Sequence, residues 1–327
     1  MDTISALHDQ TAADRSVGAC SLPDWGVIRA VGADAATFLH GQLSNDVTRL
    51  DTAHARLGAY CTPQGRMLAS FIYARPGADE VWLACSADVL APTLKRLSMF
   101  VMRAKAKLSD ASAELAVLGL VGAPAAAWLG TQVPTRAWDK VDREGAVVIR
   151  LPDSGLGGAT IDRWLWIGPA AQASAVLAAL PPLSAEDWRR LEVRSGVVPV
   201  VAATAGQFVP QMLNYELVGG VDFKKGCYPG QEIVARSHYL GKLKRRAFLL
   251  AGEAAMAPAQ EVFWSEDPGQ PAGVVARAAV DGDRHLAMAE LKIAVTRSGV
   301  LHLGQPDGPV LQVLALPYAF PHDAEAA

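Results

Sequence analysis

One short stretch of the chain combines residue types and spacing into chemistry: Lys224-Lys225-Gly226-Cys227-Tyr228-Pro229-Gly230-Gln231-Glu232. Gly226 and Gly230, with Pro229 between them, mark a tight irregular segment, not the interior of a helix or strand. A cysteine on such a loop is reachable. Lys224 and Lys225 beside it favour the thiolate, the form that attacks electrophiles and ligates soft metals. Gln231 and Glu232 suit the first turn of a helix, which puts Cys227 just ahead of a helix N-terminus, a second influence towards the thiolate. A single Cys is more often a small buried apolar residue. The flanking Lys, Gly and Pro tilt this one towards a role, because loops carry function more often than cores do. His238, close downstream, is a candidate proton acceptor for Cys227.

Residues 223–236 resemble the signature Lys-Gly-Cys-Tyr-x-Gly-Gln-Glu of the YgfZ family, with Lys225, Gly226, Cys227, Tyr228, Gly230, Gln231, Glu232 and Arg236 as its positions here. Residues 31–47, 208–214 and 219–223 and the ending Leu316-Pro317-Tyr318 are similar to that family as well, so the resemblance runs from about Trp25 to Tyr318. It implies two tandem ferredoxin-like α+β folate-binding units followed by a small antiparallel β-barrel. It also implies a folate-binding accessory protein that supports iron–sulfur cluster assembly or repair in tRNA-modifying enzymes, related to the glycine-cleavage aminomethyltransferase. The implied cofactor is tetrahydrofolate or a derivative. The implied partners are iron–sulfur tRNA-modifying enzymes or cluster-assembly proteins. Tetrahydrofolate would sit in a cleft between the two α+β units, and Cys227, with Lys225 beside it, would act near that cleft as ligand, nucleophile or redox group. Trp25 and Trp188 match aromatic positions linked to folate in the family; core tryptophans are the plain alternative. Glu192, Gln211 and Asn214 could give polar contacts to a pterin edge, or serve as structural hydrogen-bonding groups.

A second reading is a tetrahydrofolate-dependent aminomethyltransferase-like enzyme, and two departures from the aminomethyltransferases count against it. Where their pattern Gly-Gly-Ile-Leu-Asp-Asp places carboxylates after a turn, this chain has Gly65-Arg66-Met67-Leu68-Ala69-Ser70. Where they carry Lys-x-Asp-Phe-Ile-Gly, it has Lys225-Gly226-Cys227-Tyr228-Pro229-Gly230, a thiol in place of a carboxylate. Whether the chain is an enzyme stays open on the sequence. A folate-binding module without chemistry is the third reading, and it makes Cys227 a space-filler.

The elements that must position these residues read as follows. Strands are expected at 26–31, 56–61, 67–73, 80–85 and 104–108, with helices from 34 to about 45 and over 88–102. A second unit has strands at 115–121, 146–151 and 164–167 and a helix over 170–180. Ser184 caps a helix over 185–194, with Asp187 completing a capping-box-like start. Trp188 and Leu191 then face inward, and Arg189, Arg190, Glu192 and Arg194 are partly solvated. Short strands at 242–251, 262–264, 272–280, 285–291, 300–303 and 310–314 close a barrel. The expected divisions are 20–110, 111–241 and 242–320.

The chain has 327 residues, 51% hydrophobic and 19% charged, enough for buried cores. A net charge of -3 gives no broad pull towards nucleic acid, so no direct nucleic-acid binding is expected. The basic run 242–246 reads as a charged edge strand that discourages aggregation, and Arg66 as a solvated turn arginine. Cys20, Cys61, Cys85 and Cys227 are too scattered for a disulfide scaffold or a self-contained metal site, so no metal is expected. Residues 1–20 read as polar and loosely held, with no secretory signal, and no apolar run reaches membrane-spanning length. A cytoplasmic monomer without membrane contact is expected.

Overall fold

Period-two alternation sorts the strand side chains into cores on opposite faces of two sheets, and all but one of the helices in these units take the outer faces. The structure is a computed structural model, which describes residues 16–156, 159–239 and 243–320. Strand β1 (Gly18–Ser21) precedes a first unit of β2 (Trp25–Val31), α1 (Ala35–His40), β3 (Ala55–Cys61), β4 (Met67–Gly77), β5 (Glu80–Ser86), α2 (Ala87–Val101) and β6 (Lys107–Asp110). Its antiparallel sheet runs β3-β4-β5-β2-β6.

The second unit holds β7 (Leu115–Val121), α3 (Gly122–Leu129), β8 (Lys140–Arg143), β9 (Ala146–Arg150), the hairpin β10 (Ser154–Leu156) with β11 (Ala159–Ile161), β12 (Arg163–Pro169), α4 (Ala170–Ala178) and α5 (Ala185–Arg194). Its sheet runs β1-β7-β12-β9-β8. Residues 18–20, expected to be loose, are therefore strand: Gly18 sits opposite Val121 and Cys20 opposite Gly119. Residues 1–15 lie outside the described residues.

The inner faces share one core. Leu57, Ile72, Val117, Ile149 and Leu165 meet Leu191 of α5 and reach Leu249 and Met288 further along the chain. The alternate residues point outward. Tyr60, Phe71 and Leu83 pack with Leu39 of α1 and Leu97 of α2, while Leu118, Val148, Trp164 and Trp166 pack with Leu129 of α3 and Val176 of α4. Fully burying each such leucine stabilises the fold by roughly 1.5–3 kcal/mol.

After α6 (Gln231–Tyr239), the strands β13 (Arg245–Gly252), β14 (Glu261–Trp264), β15 (Asp267–Asp281), β16 (Arg284–Lys292), β17 (Leu301–Leu303) and β18 (Val310–Leu314) form a closed barrel of order β13-β16-β15-β14-β17-β18. Two α+β units followed by a barrel is the architecture expected. The expected basic edge strand is not there, because a closed barrel has no edge. Arg245 pairs with Glu290 across the sheet, and buried Arg246 donates to Glu216 Oε1 at 2.7 Å. Lys242, which opens that run, lies outside the described residues. Helix α1 ends at His40, earlier than expected. On α5, Arg190 and Glu192 are buried, not solvated. No helix among the described residues is long and apolar enough to cross a membrane.

Candidate functional site

A narrow cleft with only about 20 Å³ of free space lies between the inner faces of the two units. Its lining includes Trp25 of β2, Ser70 of β4, Trp138, Arg163 at the start of β12, Glu192 of α5 and Tyr215. Three of its polar groups are already committed to backbone partners. Ser70 Oγ accepts from the Val200 amide at 2.9 Å, Tyr215 Oη donates to Val198 O at 2.8 Å, and Trp138 Nε1 donates to Val218 O at 3.1 Å.

Arg163 is not so committed. It is 2% exposed, its Nη2 donates to Pro152 O at 3.2 Å, and its Nε and Nη1 have no partner among the described residues. Its guanidinium carbon lies 5.2 Å from the centre of the Trp188 ring. Burial lowers its pKa to about 10, with the Glu192 carboxylate the main opposing influence. Glu192 is pushed up by burial, against the pull of Arg277 and Arg163. Its Oε2 accepts from Arg277 Nε at 3.1 Å, and Arg277 also donates to Asp24 Oδ2 at 3.2 Å, so the barrel strand β15 fixes this carboxylate.

Trp188 owes its seat to Gly119 of β7. A Cβ there would lie 2.3 Å from the indole Cε3, so only glycine leaves room for the ring. Ser184 Oγ accepts from the Asp187 amide at 2.9 Å and so starts the helix that carries Trp188.

Of the residues expected at a ligand site, Trp25 and Glu192 line the cleft and Trp188 lies against Arg163. Gln211 and Asn214 sit elsewhere. Gln211 Nε2 donates to Val234 O of α6 at 2.6 Å. Asn214 Nδ2 donates to Ala247 O at 2.9 Å and its Oδ1 accepts from Arg246 at 3.1 Å, tying this segment to the barrel. Arg66 donates to Gln207 O instead of standing free in solvent.

The cysteine loop docks on the first unit. Lys225 is buried, and its Nζ donates to the carbonyls of His40 at 2.6 Å and Leu43 at 2.9 Å, satisfying orphan oxygens past the end of α1. Burial lowers its pKa to about 8. Its ammonium also lies 4.7 Å from the Tyr228 ring centre. Gly230 has φ +82°, and a Cβ there would be 2.5 Å from Thr62 O, so the loop rests on the turn of the β3–β4 hairpin. Gln231 Nε2 reaches back to Lys225 O at 3.4 Å, while Glu232 and Arg236 are exposed on α6.

Cys227 itself is exposed. Cys20, Cys61 and Cys85 are buried, and burial pushes each of those thiols up to about 12. The ring of His238, the proton acceptor expected from sequence, stacks on Phe223 with centroids 3.9 Å apart. The imidazole beside the loop belongs to His40. Its Nε2 is 3.5 Å from where a Gly226 Cβ would stand, and its Nδ1 is 3.3 Å from Asp46 Oδ1. Burial alone would raise the Asp46 pKa, but bonds from Arg49 and Thr48 outweigh it and hold the carboxyl well below the usual range.

No residue of the cysteine motif lines the cleft. Cys61 of β3 lies within electrostatic reach of both Tyr215 in the cleft and Tyr228 in the motif. Sequence reasoning missed Arg163, Trp138, Tyr215 and His40. Only Arg163 carried a signal, as a charged residue opening an apolar strand.

The family described as the GCVT N-terminal domain matches residues 4–142. The chain is 31% identical over 244 residues to "tRNA-modifying protein YgfZ" of Shigella boydii serotype 18, covering 73% of each protein. It is 31% identical over 245 residues to the protein of the same name from serotype 4, again covering 73% of each. Among solved structures it is similar to the glycine cleavage system aminomethyltransferase T from Bartonella henselae. That match has a TM-score of 0.74 at 17% identity and covers 95% of this chain and 89% of the other.

Proposed function

The chain belongs to the YgfZ family, and from that premise we propose that it is a tetrahydrofolate-binding accessory protein for tRNA modification. On this reading it serves the assembly or repair of iron–sulfur clusters in tRNA-modifying enzymes, and Cys227 is its reactive group. The name of its relatives and the GCVT-type fold support the tRNA and folate parts of this reading.

The contrast among the four cysteines carries the role of the thiol. Three are buried with thiols pushed up to about 12, and the fourth is exposed on a loop pinned by Lys225 and seated on a hairpin turn. An exposed sulfur on a fixed backbone can meet a partner protein's cluster as a ligand or nucleophile. A single thiolate supplies one of the four ligands a cluster usually takes, so the partner or a small thiol must bring the others.

The residue types at the cleft suit a pterin, which the cleft's free space of about 20 Å³ must widen to admit. Two unpaired nitrogens of buried Arg163 and the Glu192 carboxylate offer a donor and an acceptor side by side, with aromatic rings at Trp25, Trp138 and Trp188. When bound, tetrahydrofolate supplies a carrier for one-carbon units. The chain's own residues bind and orient it: Arg277 holds Glu192 in place, and the indole of Trp188 supports Arg163. Gln211 and Asn214 fix the segment between cleft and barrel. We also propose 20–110, 111–241 and 242–320 as the folding units, and enzyme–partner complexes instead of nucleic acid as the working context.

Cellular complementation with Cys227→Ser, scored by thiomethylation of tRNA and paired with a thermal melt of the purified variant, tests the proposal. Lost modification with an unchanged melt is expected, because Ser is nearly isosteric but a far weaker nucleophile and soft-metal ligand. Full modification with the serine refutes the role of the sulfur.

A further inference from the structure

We propose that the end of α2 and the segment leading into β6 form a surface that lies on an anionic lipid bilayer, with Met99, Phe100 and Met102 seated among its headgroups. The inference goes beyond the function proposed above and does not depend on the cleft or on the cysteine loop.

Residues 95–107 read Lys-Arg-Leu-Ser-Met-Phe-Val-Met-Arg-Ala-Lys-Ala-Lys, basic throughout and without an acid, in a chain whose net charge is -3. Helix α2 turns Leu90 and Leu97 into the core of the first unit. The other side of its last turns carries Lys95 and Met99, four residues apart, with Phe100 beside them. Met99 is 61% exposed, Phe100 49% and Met102 86%. Single exposed apolar residues are ordinary, but these three fall within four positions. Exposed Val31, at the end of β2 and opposite Lys107 of β6, extends the same patch.

The cations beside it are uncommitted. Lys95, Arg103, Lys105 and Lys107 are exposed and form no ion pair among the described residues. Arg29, on the strand next to β6, pairs with both Glu80 and Glu114. Of the acids at the border, Asp34 accepts from the Lys105 amide at 2.7 Å through Oδ2, and Glu80 is held by Arg29. Exposed Asp79, whose carbonyl accepts the Gly32 amide at 2.9 Å, lies beyond Val31.

The shape and chemistry of the patch choose its occupant. None of residues 95–107 lines the clefts at Trp25, Trp128 and Trp138, so no groove there receives a partner's helix. Nucleic acid would pair with the cations but offers Met99 and Met102 no apolar medium. A second copy laid on the patch by a two-fold axis would set the same four cations against each other. An anionic bilayer meets both needs, since its headgroups pair with Lys and Arg while apolar side chains enter the boundary with the acyl chains. The expectation of no membrane contact came from the lack of a spanning run, and a surface that lies on a bilayer needs none.

Vesicle flotation of the full chain tests this with phosphatidylcholine alone and with phosphatidylcholine carrying about 30% phosphatidylserine, at about 0.05 and 0.5 M salt. Binding to the anionic vesicles only, weakened by salt, is expected. Combining Lys95→Gln, Arg103→Gln, Lys105→Gln and Lys107→Gln should lower it roughly 100-fold or more, since each cation near the surface is worth roughly fivefold. Met99→Ser with Phe100→Ser, which keeps every charge, should lower it roughly tenfold. All six side chains, Arg96 left in place, are exposed, so thermal melts should match the wild type.

A wild type that fails to float with anionic vesicles, or floats equally with both compositions, overturns the inference. So does undiminished binding in the four-cation variant. Unchanged binding in the Met99 and Phe100 variant overturns the seating of the apolar side chains. Tighter binding of tRNA than of anionic vesicles at the same salt, read by fluorescence anisotropy, overturns the bilayer as occupant. A dimer in sedimentation velocity that Met99→Ser with Phe100→Ser abolishes does the same. If a variant fails to fold, the wild-type contrast between compositions remains a test.

Discussion

Gly119→Ala is a one-methyl change whose consequence can be worked out from the structure. The new Cβ would lie 2.3 Å from Trp188 Cε3 and 2.7 Å from Cδ2 and Cζ3. Carbon atoms in contact prefer about 3.5–4.0 Å, so the ring must retreat by roughly 1.2–1.7 Å. The strand cannot yield instead, because Gly119 is paired on both sides, with Cys20 of β1 and Leu165 of β12. Nor is α5 free to move as a body, since Glu192 bonds Arg277 and Arg194 bonds Asp281 of the barrel. Overpacking of this kind costs about 1–3 kcal/mol, and the upper half of that range is expected here. The displaced indole lies against Arg163, so folic acid affinity should fall at least about tenfold as the cleft's donors shift. Urea denaturation and calorimetry read the two effects. Gly77→Ala, with nothing within 4 Å of the new Cβ, is the control and should stay within about 0.5 kcal/mol of wild type. Adding Trp188→Phe should relieve the clash and show a coupling of about 1 kcal/mol or more. Unchanged stability and unchanged affinity in Gly119→Ala would refute the claim that this glycine makes the seat for the ring.

Two further substitutions test the anchors of the cysteine loop. Lys225→Met strips the donors from the His40 and Leu43 carbonyls and should cost about 2–4 kcal/mol in denaturant unfolding. The Lys225 pKa is about 8 in the folded chain against 10.5 when unperturbed, so the unfolded state binds more protons between those values. Wild-type stability should therefore rise with pH through that window, and a stability curve of Lys225→Met should lack that component. Asp46→Asn removes a buried carboxylate that accepts from the Arg49 amide at 2.8 Å, Arg49 Nε at 2.6 Å and Thr48 Oγ1 at 3.0 Å, and should cost about 1–3 kcal/mol at pH 7. The Asp46 pKa is depressed on folding, so its contribution is complete above about pH 4 and is lost below. Chemical denaturation of the two proteins at pH 7 and pH 3 should show the gap narrowing.

Strong periodic signals were legible in the sequence and weak ones were not. Strands such as β7 and β9 alternate between two cores with large apolar residues on both faces, and α5 announces itself through Ser184, Asp187 and the inward Trp188 and Leu191. Helix α3, Gly-Ala-Pro-Ala-Ala-Ala-Trp-Leu, was not legible, because a run of alanines shows no contrast between its faces. Strand β1 was missed because its pairing with β7 is decided by residues far along the chain. The site divides in the same way. The cysteine motif is local in sequence, so its exposure and its anchoring loop could be read directly. The cleft is assembled from both units and stiffened by the barrel, and no window of sequence contains Arg163, Glu192 and Arg277 together. Tertiary packing alone puts the lysine of the motif under α1 and leaves His40, not His238, beside Gly226.

The cleft's own inventory also weighs against amine-transfer chemistry. Where the aminomethyltransferase pattern has two carboxylates, Ala69 packs into the outer core of the first unit and Ser70 reaches the cleft with its hydroxyl already accepting from Val200. The acidic side chain that lines the cleft is Glu192, and one of its oxygens is held by Arg277. A carboxylate with one oxygen already bound by Arg277 is suited to orienting a ligand, and burial pushes its pKa up against the pull of that cation. The exposed thiol, Cys227, lies outside the cleft lining. This fold of the transferase type holds its cleft carboxylate against Arg277 and exposes a thiol on a clamped loop outside the cleft lining.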